Sequence, residues 1–333
     1  MINKKVIICG ICKDVAESLP VTARIVEAMG NMFEDYRVLL YENDSTDNTK
    51  SILAGWTSSN PKITLKCESV GNIPYINVDP LKSSGTSRAR NIVLDMLETI
   101  PEEYTYIIWL DMDFNVEPEY SALVEIFDRE NEWDAVFSYG VDLIYSYWDW
   151  LAMRDHHAPF GPEVIGHHNW YVAKKTLIHI LTIKNRVPDT KWHPVISAFG
   201  GCGIYRREAI QGCRYSAEVT ADLEQITKEF IEGNPDHPVV VQYKESTKGL
   251  IECHHIPEAV QGLPKHMDYH NTGITISDVP DRVTWRMSSF TYQYPVTCDH
   301  VPFHASMAVR GYNRLFINPR FLFYYAEVMN WFV

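Results

Sequence analysis

Ile107-Ile108-Trp109-Leu110-Asp111-Met112-Asp113 reads as a buried apolar strand that stops at two carboxylates one residue apart. Residues i and i+2 of an extended chain project to the same side, so Asp111 and Asp113 converge where the strand ends. Mg²⁺ and Mn²⁺ take oxygen ligands, keep several waters and are commonly held by one or two carboxylates together with substrate phosphates. The pair therefore reads as a candidate divalent-metal site. Its spacing also occurs in solvated loops and helix caps, so context decides its meaning.

The surrounding segments alternate between strand and helix. Residues 6–11, 37–41, 63–67 and 104–110 read as short buried strands. Leu19, Ala23, Val26, Met29 and Phe33 recur at helical spacing, and residues 86–97 read as another helix. Residues 42–47 are turn chemistry, with Ser45 or Asp47 placed to cap a helix running through Leu53. The order βαβαβαβ is that of an α/β sheet with helices on its faces. Further on, residues 118–127 read as a helix, 135–139 as a strand, 172–183 as an apolar helix-like run and 217–231 as a helix. Residues 197–206 read as a strand broken at Gly200-Gly201, where missing side chains let backbone approach a ligand. The aromatic stretch 145–150 interrupts the alternation, and the His- and Trp-rich segment 159–194 reads as an elaboration of a cleft. No linker stands out, so a single domain over 1–333 is expected.

Composition sets the boundaries of function. With 333 residues, 46% hydrophobic and 22% charged, the chain has apolar material for a large core and is not disordered. A formal net charge of −13 excludes a general basic field for nucleic acid and leaves only local anion sites. The seven cysteines are odd in number, several sit in apolar runs, and no secretory signal follows Met1, so a reducing, cytoplasmic setting is expected. Cys9 and Cys12 have redox-like spacing but sit at a strand end, where core packing is the expectation. No uninterrupted apolar run reaches the ~20 residues needed to span a bilayer. Residues 315–333 are aromatic but interrupted by Asn318, Pro319, Arg320, Glu327 and Asn330; they read as a packed terminal helix, with membrane-surface contact as the alternative.

In open α/β sheets ligands bind outside the carboxyl ends of the strands, and the chemically suggestive residues cluster there. Cys12-Lys13-Asp14 follows the first strand, Glu42-Asn43-Asp44 the second and Asp111-Met112-Asp113 the fourth. With Tyr41 to Thr49 and Ser87-Arg88-Ala89-Arg90-Asn91, this order resembles the nucleotide-sugar half of GT-A glycosyltransferases. Gly200-Gly201-Cys202-Gly203-Ile204-Tyr205-Arg206-Arg207 and Cys298-Asp299-His300-Val301-Pro302-Phe303-His304 resemble the acceptor-side motifs of the same enzymes. Among known groups the resemblance is to fungal capsule-associated mannosyltransferases and related glycosyltransferases of large DNA viruses. It implies a GT-A-like nucleotide-diphospho-sugar transferase fold, a mixed central sheet flanked by helices, with a nucleotide-sugar-binding half over 1–115 and an acceptor-binding half over 116–333. Residues 215–295 match nothing in that pattern and read as an insertion. No dinucleotide-type glycine loop follows the first strand, which agrees.

The resemblance carries roles onto individual residues. Glu42, with Asp44 in the same turn, would contact the base or ribose of the nucleotide. Arg88 or Arg90 would meet the diphosphate, for which a guanidinium fork is suited. Asp111 would meet ribose or metal-bound water, Asp113 would ligate Mn²⁺ or Mg²⁺, and His300 or His304 would complete the metal shell. The general base, required only for inversion, would be Asp299 or Asp155; relatives more often carry Glu at the Asp299 position. Trp148, Trp150 and Trp170 would offer platforms to the acceptor sugar, and Asp149 and Asp155 would bind its hydroxyls beside Gly200 and Gly201.

The implied activity is metal-dependent transfer of a sugar from a nucleoside diphosphate sugar to a hydroxyl of a glycan or glycoconjugate. Two alternatives stay open: a nucleotidyl- or phosphotransferase using the same acidic pair, and a noncatalytic carbohydrate-binding protein. A zinc site from Cys253-His254-His255 or from Cys298 and His300 lacks a second Cys/His pair at finger spacing.

Overall fold

The structure, a computed structural model, describes residues 1–71, 80–141, 147–149, 151–165, 191–246, 252–253, 285–286 and 297–324. Trp150, Trp170, the expected helix over 172–183 and much of 215–295 lie outside these residues.

Strands β1 (Ile2–Cys12), β2 (Phe33–Asn43), β3 (Ile63–Glu68) and β4 (Tyr106–Leu110) alternate with helices α1 (Leu19–Gly30), α2 (Thr49–Ser59) and α3 (Pro80–Leu97). After α4 (Ser121–Asp128) come β5 (Ala135–Val141), the short α5 (Pro162–Ile165), β6 (His193–Val195) and β7 (Cys202–Arg206). Helices α6 (Arg207–Ile210), α7 (Ala221–Gly233) and α8 (Pro238–Ser246) follow, then the two-residue strands β8 (Glu252–Cys253) and β9 (Trp285–Arg286), helix α9 (His300–Val309) and strand β10 (Leu315–Tyr324). Eight strands form one sheet in the order β3-β2-β1-β4-β7-β5-β10-β6, and β8 pairs with β9 separately. Within the sheet β3, β2, β1 and β4 are mutually parallel. Strand β7 runs antiparallel between β4 and β5, and β10 runs parallel to β5 and antiparallel to β6. This is a mixed central sheet flanked by helices.

Side-chain alternation explains the layers, because successive residues of a strand face opposite sides of a sheet. Ile7 and Cys9 of β1, Leu39 and Tyr41 of β2, and Ile107 and Trp109 of β4 join a core with Val93 and Leu94 of α3 and Phe303 and Met307 of α9. Their neighbours Val6, Ile8, Val38, Leu40, Ile108 and Leu110 join the opposite core with Leu19, Ile25 and Met29 of α1, Leu53 and Trp56 of α2, and Leu123 and Ile126 of α4. A smaller cluster beside the sheet packs Val301 and Ala305 of α9 against Leu223 of α7 and Val240 and Tyr243 of α8.

Two segments depart from the sequence expectation. Instead of a terminal helix, residues 315–324 form β10, with Leu315, Ile317, Phe321 and Phe323 buried. Pro319 would break a helix interior, and here it sits where the β10–β5 register shifts between Asn318 and Leu322. Tyr215, expected to open an insertion, is built into the core: its ring stacks on Phe303 at 4.1 Å and meets Trp109 edge-on at 5.6 Å. Cys9 and Cys12 are buried strand residues with free thiols. Among the described residues, no helix is long and apolar enough to cross a membrane.

Candidate functional site

The parity of β4 continues past its end. Met112 and Phe114 are buried in the core of the α1/α2/α4 face, whereas Asp111 and Asp113 are half-buried and exposed. Asp111 stands beside Arg90 of α3, and Asp113 lies near Cys12 at the end of β1. Gly10 makes room for Met112, since a Cβ there would lie 2.5 Å from the Met112 sulfur. Helix α1 fixes the loop from behind: the Thr22 hydroxyl lies 3.2 Å from the carbonyls of both Met112 and Phe114.

Arg90 of α3 reaches this edge. Its guanidinium is buried, pairs with Asp299 at the head of α9 and stands 3.8 Å from Asp111 Oδ1. Phe199 and Tyr215 flank it, with ring centroids 5.5 Å away on each side. The negative charges of Asp299 and Asp111 outweigh the burial that opposes ionisation and hold its pKa above the ordinary arginine value. Arg88, two residues earlier, points elsewhere: it donates to the Tyr41 hydroxyl at 2.8 Å and to Glu68 at 2.7 Å.

The first two loops of the parallel half are laced together. The Asp14 carboxylate accepts from the Thr46 amide at 2.6 Å, the Val15 amide donates to Thr49 Oγ1 at 2.8 Å, and the Ala16 amide donates to Asp47 at 2.9 Å. Asp47 also accepts from the Thr49 amide at the start of α2, close to the capping role expected of it. Asp14 and Asp44 both carry positive φ, at 51° and 53°, which Asp tolerates better than most residues. Asp44 is held by the Val70 amide and the Ser69 hydroxyl, and these bonds lower its pKa to about 2. Glu42 is fully buried; one carboxylate oxygen accepts from the Ser45 amide at 2.8 Å, and the other has no hydrogen-bond partner among the described residues. Burial, reinforced by the Glu42 and Asp113 carboxylates, pushes the Cys12 thiol up.

The acceptor-side motifs meet Asp111 through the glycine turn. Gly200 and Gly201 have φ of +66° and +90°. The Asp111 amide donates to the Gly201 carbonyl at 2.9 Å, and the Ser138 hydroxyl donates to the Gly200 carbonyl at 2.7 Å. A Cβ on Gly200 would lie 2.2 Å from the Ser138 carbonyl oxygen, so this close backbone approach requires glycine. The segment carrying Trp148 and Asp149 hangs from the end of β5, where the Trp148 amide donates to the Gly140 carbonyl at 3.0 Å. Asp149 then accepts from the Gly200 amide at 3.3 Å.

Other expected residues are placed differently. Asp155 is buried, paired with His193 at 2.8 Å, and its second oxygen accepts from the His157 and Ala158 amides. His304 is buried, and both ring nitrogens are engaged, one by Ser197 at 2.8 Å and the other by Tyr205 at 3.0 Å. His300 stacks on Phe199 at 4.1 Å, and neither of its ring nitrogens has a hydrogen-bond partner among the described residues. The donor set fits a two-carboxylate cation site, Asp111 and Asp113, of the kind completed by phosphate oxygens and water. Among the described residues, no group of three or more His, Cys, Asp or Glu side chains is gathered to hold a metal ion.

Burial lowers the pKa of both histidines, that of His304 to about 3 and that of His300 well below the ordinary value. The unfolded chain takes up protons near pH 6.5, so the stability gained by burying neutral rings is complete above that pH and is lost on descent toward 3. Urea titrations between pH 7 and pH 5 are expected to show unfolding free energy falling with acid by up to about 1.4 kcal/mol per pH unit for each ring. His304→Leu should flatten that slope by one ring's share.

No family model matches the chain, and no curated protein matches it. Solved structures that the chain matches include TarS of S. aureus, with 14% identity over 64% of this chain and 30% of that one, at a TM-score of 0.35. The mannosyltransferase PcManGT from Pyrobaculum calidifontis, in complex with GDP-Man and Mn²⁺, has 14% identity over 64% of this chain and 48% of that one, at 0.36. S. aureus TarS 1-349 in complex with UDP-GlcNAc has 14% identity over 64% and 48%, at 0.35. The chain spans about a third to a half of the length of these structures.

Proposed function

We propose that the chain is a metal-dependent glycosyltransferase that moves a sugar from a nucleoside diphosphate sugar to a hydroxyl of a glycan or glycoconjugate. What supports this reading is Asp111 just past the β4 end, with buried Arg90 3.8 Å from its carboxylate and the glycine turn bonded to its amide, and Asp113 two residues further on. Two carboxylates and a guanidinium beside a backbone turn suit a cation–diphosphate group with a second substrate next to it. The motif resemblance to capsule-associated mannosyltransferases points the same way.

Asp111 and Asp113 would hold Mn²⁺ or Mg²⁺, which when bound supplies Lewis-acid stabilisation of the charge developing on the departing nucleoside diphosphate. Arg90, fixed by Asp299, orients Asp111 and adds positive charge close to the diphosphate. Trp148 and Asp149, beside Gly200, would border the acceptor.

A melting-temperature panel of UDP-, GDP- and dTDP-sugars with and without Mn²⁺ tests the reading. One donor at a hundredfold excess over its Kd should raise the melting temperature by roughly 4 °C, only with Mn²⁺. Asp113→Ala should abolish the shift; a shift that survives this substitution, or no metal-dependent shift with any donor, sinks the proposal.

A further inference from the structure

Asp299 and Asp155 were the candidates to take a proton at the acceptor side and Asp149 was expected to bind acceptor hydroxyls, but their surroundings separate them differently. Asp299 is held by the buried Arg90 guanidinium and by the Thr86 hydroxyl at 3.4 Å. Asp155 is paired with His193 and accepts two further backbone bonds. Both carboxylates are thus already engaged by neighbouring side chains and backbone donors. Asp149 differs: its bonds are to the backbone amides of Gly200, at 3.3 Å, and Ala152, and among the described residues it makes no ion pair. It is half-buried, and the Gly200–Gly201 turn joins it to the Asp111 amide.

We propose that Asp149 is the general base of the transfer, accepting the proton of the attacking hydroxyl, while Asp299 positions Arg90. This rests on the glycosyltransferase reading above. In the step, the acceptor oxygen bonds to the anomeric carbon of the donor sugar while the bond from that carbon to the phosphate oxygen breaks. The electron pair leaves on the nucleoside diphosphate, and the hydroxyl proton passes to an Asp149 carboxylate oxygen and then to water. A single displacement of this kind inverts the anomeric configuration.

The groups facing Asp149 make it suited to this work. Burial pushes its carboxyl up to about 6; the Gly200 amide and Arg90 oppose the rise, and Asp299 adds to it. Among the described residues, Tyr147 and Cys298 are its other titratable neighbours, and burial raises both far above neutrality, so neither carries charge there. A base with pKa near 6 is ionised at neutral pH and still holds useful proton affinity.

The test uses the nucleotide sugar that gives the largest Mn²⁺-dependent melting shift, with water and simple methyl glycosides as acceptors, and reads nucleoside diphosphate release from pH 4.5 to 8. The wild-type rate should rise tenfold per pH unit below about 6 and level off above it, since only the ionised base acts. Asp149→Asn, which keeps an oxygen for the Gly200 amide, should lose about 100-fold or more in rate and lose the acid limb, while retaining the donor-induced melting shift. Asp299→Asn should keep the acid limb. Transferred product should have the anomeric configuration opposite to the donor. Release that is pH-independent or undetectable in donor-binding wild type, a rate within threefold in Asp149→Asn, or retained configuration overturns the assignment. Absence of any donor-induced melting shift counts instead against the glycosyltransferase reading.

Discussion

Arg90→Ala is expected to lower the free energy of unfolding by about 3–5 kcal/mol, because it leaves a buried carboxylate without its counter-charge. The Arg90 and Asp299 side chains are only 10% and 6% exposed, so water cannot take over from the missing guanidinium. The substitution also removes the cation held between Phe199 and Tyr215, opening a gap where α3 faces the head of α9. Equilibrium urea unfolding of Arg90→Ala, Asp299→Asn and the double variant Arg90→Met/Asp299→Leu separates the contributions. Each single substitution should destabilise, and the double variant should recover a large part of the loss, since apolar replacement of a whole buried pair is often near neutral. If Arg90→Ala loses under about 1 kcal/mol, the pair is solvated and the account of this edge is wrong.

Gly200→Ala should cost roughly 3 kcal/mol or more, from left-handed backbone strain together with a steric clash that only main-chain movement can relieve. The clash is with the Ser138 carbonyl oxygen, 2.2 Å from the added carbon, in the middle of the sheet. Moving it disturbs the Ser138 bond to the Gly200 carbonyl and the Gly200 amide bond to Asp149, so a drop in stability and misplacement of Asp149 go together. Gly55→Ala in α2 is the matched control. Nothing lies within 4 Å of the added carbon there, and helix propensity predicts a gain of up to about 1 kcal/mol. Urea midpoints of the two variants should therefore move in opposite directions.

The parallel half was legible because its signals are local. Apolar runs, helical spacing and turn residues located β1 to β4 and the helices between them, and the carboxyl-edge rule singled out Asp14, Glu42, Asp44, Asp111 and Asp113, whereas Arg90 was offered, with Arg88, only by the resemblance. Residues 315–324 were misread because aromatic density was taken as a helix face, although Pro319 and the alternating burial of Phe321 and Phe323 are strand signals. The site's inner pairings depend on contacts that no local pattern encodes. Arg90 meets Asp299 across 209 positions, and His304 finds Tyr205 and Ser197 across 99 and 107. Sequence resemblance marked Asp299, His300 and His304 by motif position. Only the fold distinguishes a carboxylate clamped by arginine from Asp149, which is bonded to backbone amides.

The central claim is that Asp111 and Asp113 bind a divalent cation together with a nucleoside diphosphate. Titration calorimetry of UDP and of GDP into the protein, with and without Mn²⁺, measures it directly. Binding of at least one diphosphate that requires Mn²⁺, and that weakens about tenfold or more in both Asp111→Asn and Asp113→Asn, is the result the account predicts. Diphosphate binding of equal strength without the metal, or unchanged in those variants, would contradict it.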